Sequence, residues 1–538
     1  MAMQHRAPVT PAPAATLAEI CATRWAGRAE ASLDGPGQVC RIACPPETLR
    51  EVCEWLMGEL GFALATLVVD EWPSWSITYA FYRDDAPLWV YVELPVDAGT
   101  LLVPSISGLV HGPSADWHER EAEDLFGLTF EGHPRLGDFV LHEDWPEGVN
   151  PMRRDFDASR PIPVRALEPR WEPPTVVAAS GAFAMPVGPV FADFAESAHF
   201  LLETVGEDVI RTIPRFFFNY RGVEKIAEGQ PVERALLLAE RFSGIAAFAH
   251  GLAFCQSVEA ICGIEVSPRA RSLRTVFAEL ERLRHHAAVI TGICHSTALA
   301  VAASQAALIE EDLLRLCVQA ARHRYLFGLV TPGGLAFDLA DAQGRDLAAA
   351  IPAIAARLDD LHRMLRYSSS FLDRLEEVGI VTRKKAVAYG LVGPIARASG
   401  LSRDIRKLFP YAAYDGLDFA VPEERQGDGY ARLRVFFGEV EQSAAIIARV
   451  LAALPDGPIC AARPGWREGL ALSAVEAPHG AAFHWLRLAP DGTVARYRVT
   501  PPAFPNWHGF HLAAENFAFQ DFPIILASFG LSNAECDR

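Results

Sequence analysis

The sequence predicts an α+β protein of two domains, a small α+β domain followed by a larger helical bundle with β elements at its ends. Three observations predict it. Residues 1–155 alternate short aromatic and β-branched runs with turns, residues 233–407 carry long Ala- and Leu-rich stretches at helical spacing, and a proline-rich stretch lies between them. At 538 residues the chain is also too long for one ordinary core.

In chain order, PETLREVCEWLMGELG (46–61) fits an amphipathic helix, and WSITYAFYR (75–83) and APLWVYVELP (86–95) fit strands. These set a first domain at 1–155. Residues 156–178 hold five prolines with neither helical nor strand periodicity, so they read as a semi-extended linker. The second domain is 179–538. In it, residues 233–260 and 268–325 read as long helices joined by the CGIEVSP turn, whose Pro268 opens the second. Residues 343–378 and 383–407 read as further helices, and 466–500 as strands with a turn at Pro490, Asp491 and Gly492. Residues 287–309 lack Asp, Glu, Lys and Arg and are long enough to span a bilayer. They are Ala-rich, with His295, Ser296, Thr297, Ser304 and Gln305 among them, and read as the central helix of a soluble bundle.

Composition excludes several classes. Hydrophobic residues at 50% and charged residues at 22% describe a folded protein. A net charge of −18 argues against nucleic acid as a partner. Residues 1–25 have no apolar segment of the secretory kind, and the ten cysteines fit reduced thiols better than a disulfide framework. No Gly-x-Gly-x-x-Gly follows a strand and opens a helix, so no dinucleotide fold is expected. Cys40, Cys44 and Cys53 read as apolar thiols rather than zinc ligands, Cys255, Cys262 and Cys294 as small core residues, and Cys536 as a bystander.

Two stretches resemble metal-binding corners: ERFSGIAAFAHGLAFCQSVE (240–259) and ASFGLSNAECDR (527–538). Together with NYRGVEKIAEG, EVSPRARSLRTVFAELERLRHH, GLVGPIARASGLSRDIR and VEAPHGAAFHW, they resemble the complex I D subunit and the related nickel-iron hydrogenase large subunit. The run Trp117, Glu119, Arg120, Glu121, Asp124, Phe126, Gly127, followed by Gly132, His133 and Pro134, resembles the complex I C subunit. The fusion of the two, and ICHSTA at 293–298, resemble the large subunit of formate-hydrogenlyase-type (group 4, membrane-bound) nickel-iron hydrogenases.

That resemblance implies a Cys-x-x-Cys pair in each corner. The matching positions here are Ser243, Ala246, Ser532 and Glu535, and a donor set without thiolates does not select nickel and iron. The family's arginine over the metal matches His479, a common histidine matches Phe191, the quinone-anchoring tyrosine of the D subunit matches Gly244, and an aspartate of that subunit falls near Ser296. The chain stops at Asp537 and Arg538, where a matured subunit would stop, so metal-dependent maturation is not expected.

The resemblance implies a peripheral-arm subunit of a membrane-bound complex I/hydrogenase-like oxidoreductase complex, on the cytoplasmic face of the inner membrane and not itself an active nickel-iron hydrogenase. It would carry no cofactor of its own, dock a small iron-sulfur (complex I B-subunit-like) subunit with antiporter-like membrane subunits below, and pass electrons to a quinone or another acceptor. A non-catalytic scaffold or coupling subunit is the alternative. Glu196, Glu224, His250, His286 and His295 are the candidate proton-relay residues, the histidines ringing the vacated site. Arg221 or Arg241 would pair the two glutamates, and Glu535 would pair with Arg241 so that side chains fill the pocket. The WHEREAEDLFG segment, with Glu119 and Glu121, would brace the partner interface.

Overall fold

In the computed structural model, residues 14–34, 39–165, 177, 179–190, 196–462 and 464–538 are described. The chain forms two compact units, residues up to 167 with 388–390, and the remainder. Most of the expected linker, and Phe191, lie outside the described residues.

The first unit is built on a five-stranded sheet. Helix α1 (Ala14–Arg24) leads to β1 (Glu30–Asp34), β2 (Val39–Ala43), α2 (Pro46–Glu54), β3 (Ala63–Asp70), β4 (Ser76–Tyr82) and β5 (Trp89–Pro95). The strand order is β1-β2-β5-β4-β3, with β2 and β5 parallel and the other pairs antiparallel. Pro46 opens α2, where a missing N–H costs nothing. The helix buries Leu49, Val52 and Cys53, and continues as one π-helical stretch, Trp55–Glu59. After a short parallel pair, β6 (Leu102–Pro104) with β7 (Thr129–Glu131), comes the signature helix α3 (Asp116–Phe126), which precedes β7 in the chain and packs on β3.

The charge of α3 is directed inward. Glu119 is fully buried and accepts from Tyr79 Oη (3.1 Å), Ser105 Oγ (2.5 Å) and the Ile106 amide (2.8 Å). One oxygen of Asp124 takes the amides of Phe139, Val140 and Leu141 at 2.7–3.0 Å. Gly127 caps the helix at φ +76°, a conformation that favours glycine. In the segment expected to brace the two domains against a partner, Glu119 and Glu121 are both buried, Glu119 on donors of this unit. A buried carboxylate needs donors, and this fold supplies them locally.

The second unit opens with β8 (Ala182–Val187), β9 (His199–Val205) and β10 (Asp208–Arg215), then α4 (Val223–Ala227), α5 (Val232–Arg241), α6 (Ala247–Cys262), α7 (Pro268–Ser296) and α8 (Ala300–Ala321). A hairpin of β11 (Val330–Thr331) and β12 (Gly334–Leu335) precedes α9 (Asp341–Leu365). Short helices follow: α10 (Ser369–Leu372), α11 (Arg383–Ala388), α12 (Gly393–Ala398) and α13 (Ile405–Leu408). Then come α14 (Gly429–Ala452) and the antiparallel sheet β13 (Gly469–Ala477), β14 (Gly480–Leu488) and β15 (Val494–Thr500). The chain finishes with α15 (Ala503–His508), α16 (Phe510–Ala513), β16 (Phe517–Ala518), which joins β10, and α17 (Phe522–Phe529).

Two long helices expected from the sequence are each broken. The 233–260 stretch splits into α5 and α6 at residues 242–246, which form the first corner. The 268–325 stretch splits into α7 and α8, which pack against each other, so 287–309 is not one central helix. Thr297 Oγ1 bonds back to the carbonyls of Ile293 (2.9 Å) and Cys294 (3.0 Å), and Ala298 adopts φ +61°. A hydroxyl that competes with the backbone in this way ends a helix without Gly or Pro. Among the described residues no helix is long and apolar enough to cross a membrane. The 383–407 stretch likewise resolves into three short helices. The expected turn at Gly492 is present, with Gly492 N–H on the Ala489 carbonyl and φ +84°.

Helix α7 is the spine of this unit, packing against α6, α8, α14 and α17. It is strongly charged, yet Arg274, Glu279, Glu281, Arg282, Arg284, His285 and His286 are all buried. Such groups are rarely buried unless paired. Here Glu279 meets Arg282 (3.2 Å) and Arg406 (2.9 Å), and Arg397 meets Glu439 (2.7 Å) and Glu476 (2.8 Å).

Candidate functional site

The two corners expected from the sequence meet in the second unit. Ser243 lies in the break between α5 and α6, Ala246 just before α6, and Ser532 and Glu535 in the turn after α17. All four are buried. Ser243 Oγ donates to Glu535 Oε1 at 3.0 Å and so joins the corners directly. Glu535 accepts three further bonds, from His250 Nε2 to Oε1 (2.8 Å), and from His479 Nε2 (2.5 Å) and the Ala503 amide (3.2 Å) to Oε2. Burial alone would raise this carboxyl, but the His479 charge and the two imidazole hydrogen bonds hold it well below its ordinary value.

The expected pairing of Glu535 with Arg241 is not made. Arg241 is half-exposed, bonds its neighbour Glu240 at 2.5 Å and stands over the Phe327 ring. A carboxylate in a dry corner is satisfied by whatever short donors surround it, and here those are two imidazoles, a hydroxyl and an amide.

His479 is held by its backbone. Asn506 Nδ2 donates to the His479 carbonyl (3.2 Å) and to the Val392 carbonyl (3.2 Å), while its Oδ1 accepts the Val392 amide (3.1 Å). Gly393, at φ +67°, lets the chain pass against His479, since a Cβ there would stand 2.2 Å from the His479 carbonyl oxygen.

From Glu535 a file of side chains runs inward. His250 Nδ1 lies 3.0 Å from His484 Nε2, and His484 Nδ1 lies 2.9 Å from Tyr497 Oη. The ionised Glu535 requires a proton on His250 Nε2, which leaves His250 Nδ1 bare. His484 Nε2 must then donate, and its bare Nδ1 accepts the Tyr497 hydroxyl. With all three rings neutral, every donor points towards Glu535. Burial pushes His250 and His484 below their ordinary value, with the Glu535 hydrogen bond opposing this at His250. On the other side, the His479 ring stacks on His285 with centroids 5.5 Å apart.

Of the candidate relay residues, the structure brings only His250 to Glu535 directly. His286 belongs to a neighbouring cluster through His285 and Glu439. His295 is exposed at the end of α7 and does not ring the corner. Glu196 clamps the terminal turn, taking Ser532 Oγ (2.7 Å) and the amides of Asn533 and Ala534. Glu224 is met by Arg538 (3.2 Å), Arg498 (3.3 Å) and the Val499 amide (2.9 Å). Arg221 bonds carbonyls of Phe242, Ala534 and Asp537, so neither it nor Arg241 pairs these glutamates through a hydrogen bond.

Sequence reasoning missed His484, Tyr497, His285, Glu439 and Glu281. The HGAAFH spacing and the His285–His286 doublet were the available signals. Glu281 accepts the Phe248 (2.8 Å) and Ala249 (3.0 Å) amides at the start of α6, and burial raises it to about 7 despite Arg284 and those amides. Among the described residues, no group of three or more His, Cys, Asp or Glu side chains is arranged to hold a metal ion. Burial raises Cys40 to about 11, and Cys44 and Cys294 to about 12.

An α+β unit with a WHEREAEDLFG helix, and a bundle whose break and terminal turn meet in a buried corner, define a fused two-domain subunit of the complex I type. The family described as "Respiratory-chain NADH dehydrogenase, 30 Kd subunit" matches residues 42–161, and "Respiratory-chain NADH dehydrogenase, 49 Kd subunit" matches 303–467. Formate hydrogenlyase subunit 5 of Escherichia coli K12 is 30% identical over 91% of this chain and 87% of its own length. Hydrogenase-4 component G of the same strain is 29% identical over 86% and 81%. The fused C/D polypeptide of the NADH-quinone oxidoreductase of Bdellovibrio bacteriovorus is 28% identical over 79% and 81%. A solved chain of the membrane-bound sulfane sulfur reductase, an archaeal respiratory membrane complex, superposes with TM-score 0.64 at 26% identity, covering 68% of this chain and 100% of that one. The chain belongs to the family that fuses the complex I 30 kDa and 49 kDa domains, with formate hydrogenlyase subunit 5 and hydrogenase-4 component G among its members.

Proposed function

We propose that this chain is the peripheral-arm subunit of a membrane-bound complex I/hydrogenase-like oxidoreductase complex and works there without a nickel-iron centre. The observation that carries the reading is the corner itself. Ser243, Ala246, Ser532 and Glu535 offer two hydroxyls, a methyl and one carboxylate, and Glu535 is already bonded by four donors. That set does not fit a soft-ligand metal. The chain docks a small iron-sulfur subunit, with antiporter-like membrane subunits below, and so lies on the cytoplasmic face of the inner membrane. Electrons leave that partner's cluster for a quinone or another acceptor. The file Tyr497–His484–His250 supplies protons at the corner.

The filled corner favours one second reading, a non-catalytic scaffold or coupling subunit of the same complex. A single experiment separates the two. The complex is purified in mild detergent through a tag on this chain, and quinone reduction is compared between wild type and His250→Gln. Co-purifying iron-sulfur and membrane subunits with a large loss of rate support the first reading. An unchanged rate supports the scaffold, and a chain that emerges alone contradicts both.

A further inference from the structure

His285 and His286 face each other through the same ring atom. Their Nδ1 atoms lie 3.1 Å apart, while both remaining ring nitrogens face acceptors. His285 Nε2 is 3.0 Å from the Gly530 carbonyl oxygen, and His286 Nε2 is 2.9 Å from Glu439 Oε2. A carbonyl has no proton to give, so His285 Nε2 must carry one. Burial would raise Glu439, but the charges of Arg397, His286 and Arg282 and the His286 hydrogen bond hold it far below its ordinary value, so it is ionised and His286 Nε2 carries a proton too. Two neutral rings so arranged would press two bare lone pairs together in a site that solvent does not reach. The Nδ1 contact is a hydrogen bond only if one further proton lies in it.

The pair borders a buried charge network. Glu439, Glu476, Asp404 and Glu279 form one buried network of ion pairs with Arg282, Arg397 and Arg406. Burial and the neighbouring Asp404 raise Glu476, whose oxygens accept from Arg397 (2.8 Å) and the Ile405 amide (3.0 Å), so Glu476 is the rival holder of that further proton.

We propose that His285 and His286 share one excess proton, making the pair a buried proton-donor site between the Glu535 corner and the arginine–carboxylate network. This shared proton does not depend on the function argued above. Facing the pair are Arg282 and Arg284 of α7, Glu439 of α14, Arg397 of α12 and His479 of the β13–β14 turn. When the proton leaves for a base, both rings become neutral and the Nδ1 contact must open. Burial pushes both rings below their ordinary value, helped by the His286 charge at His285 and opposed by Glu439 at His286, so the proton is weakly held and available.

The test is a neutron diffraction map of the full-length wild-type chain, grown from heavy water at mildly acid and at alkaline pH. At acid pH one deuteron per chain is expected between the two Nδ1 atoms, with one on each Nε2, and the shared deuteron is lost at alkaline pH. Ring-nitrogen NMR of the same chain gives a second reading: three protonated nitrogens on the two rings, with the shared signal abolished in His285→Gln. Two protonated nitrogens at every pH, or a deuteron on Glu476 instead, would overturn the proposal. The wild-type map decides even if the variant does not fold.

Discussion

Replacing Glu535 with Gln removes one charge and two lone pairs from a place where four donors converge. Ser243 Oγ and His250 Nε2 point at one oxygen, and His479 Nε2 and the Ala503 amide at the other. The new NH2 group faces His479 Nε2 and the Ala503 amide in one orientation, and in the other His250 Nε2 and the Ser243 hydroxyl, which can turn to accept. His479 can respond by presenting a bare Nε2, with its proton on Nδ1, which has no other hydrogen-bond partner among the described residues. The Ala503 amide has no such alternative when the NH2 is on its side. The variant therefore loses the charge assistance of its bonds, together with either the Ala503 bond or the proton order of the His250–His484–Tyr497 file, a cost of about 2–4 kcal/mol. The sign with pH follows from the carboxyl being held below its unfolded value. Its contribution is present above the unfolded carboxylate pKa and lost as pH falls towards the folded one. Urea unfolding followed by circular dichroism should show a gap between wild type and Glu535→Gln at pH 7 that narrows in acid. A gap below about 0.5 kcal/mol, or one of equal size in acid, would refute the reasoning.

Three other outcomes follow. Glu281 sits at about 7 in the folded chain against an ordinary 4.5, so the folded state binds more protons between those values and stability falls as pH rises through them. In Glu281→Gln that slope, at most about 1.4 kcal/mol per pH unit, should flatten in thermal unfolding from acid to neutral pH. Glu119→Ala should destabilise the first unit by about 3–5 kcal/mol, because Tyr79 Oη, Ser105 Oγ and the Ile106 amide lose their buried acceptor. Limited proteolysis reads this directly, and a variant as resistant as wild type would count against it. Arg241→Ala should leave the corner intact in a structure of the variant but cost about 1–3 kcal/mol in urea unfolding, since it takes a donor from buried Glu240 Oε1 and the cation from the Phe327 ring.

Strands β4, β5 and β13–β15 were legible because aromatic and β-branched runs alternate between turn residues, and Gly492 marks its turn. The breaks at 242–246 and 297–299 were not, because helical spacing continues across both. The only local sign at the second was a pair of hydroxyls, Ser296 and Thr297, able to bond backwards. The corner was half legible. Its four positions could be read from their neighbours, but the partner of Glu535 was misjudged, since charge matching favours arginine while burial favours donors already present. His479 and His250 lie 56 and 285 residues from Glu535 in sequence, and no local pattern encodes such pairings. Glu119 was read only for a partner interface, because charge on a helix carries no sign of the buried Tyr79, Ser105 and Ile106 donors that hold it.

Work without nickel is what the Ser243, Ala246, Ser532 and Glu535 corner requires of the proposed peripheral subunit. Nickel and iron should therefore be counted per chain in the complex purified through this subunit in mild detergent. The account predicts iron from a co-purifying iron-sulfur partner and nickel far below one atom per chain. One nickel per chain would contradict it.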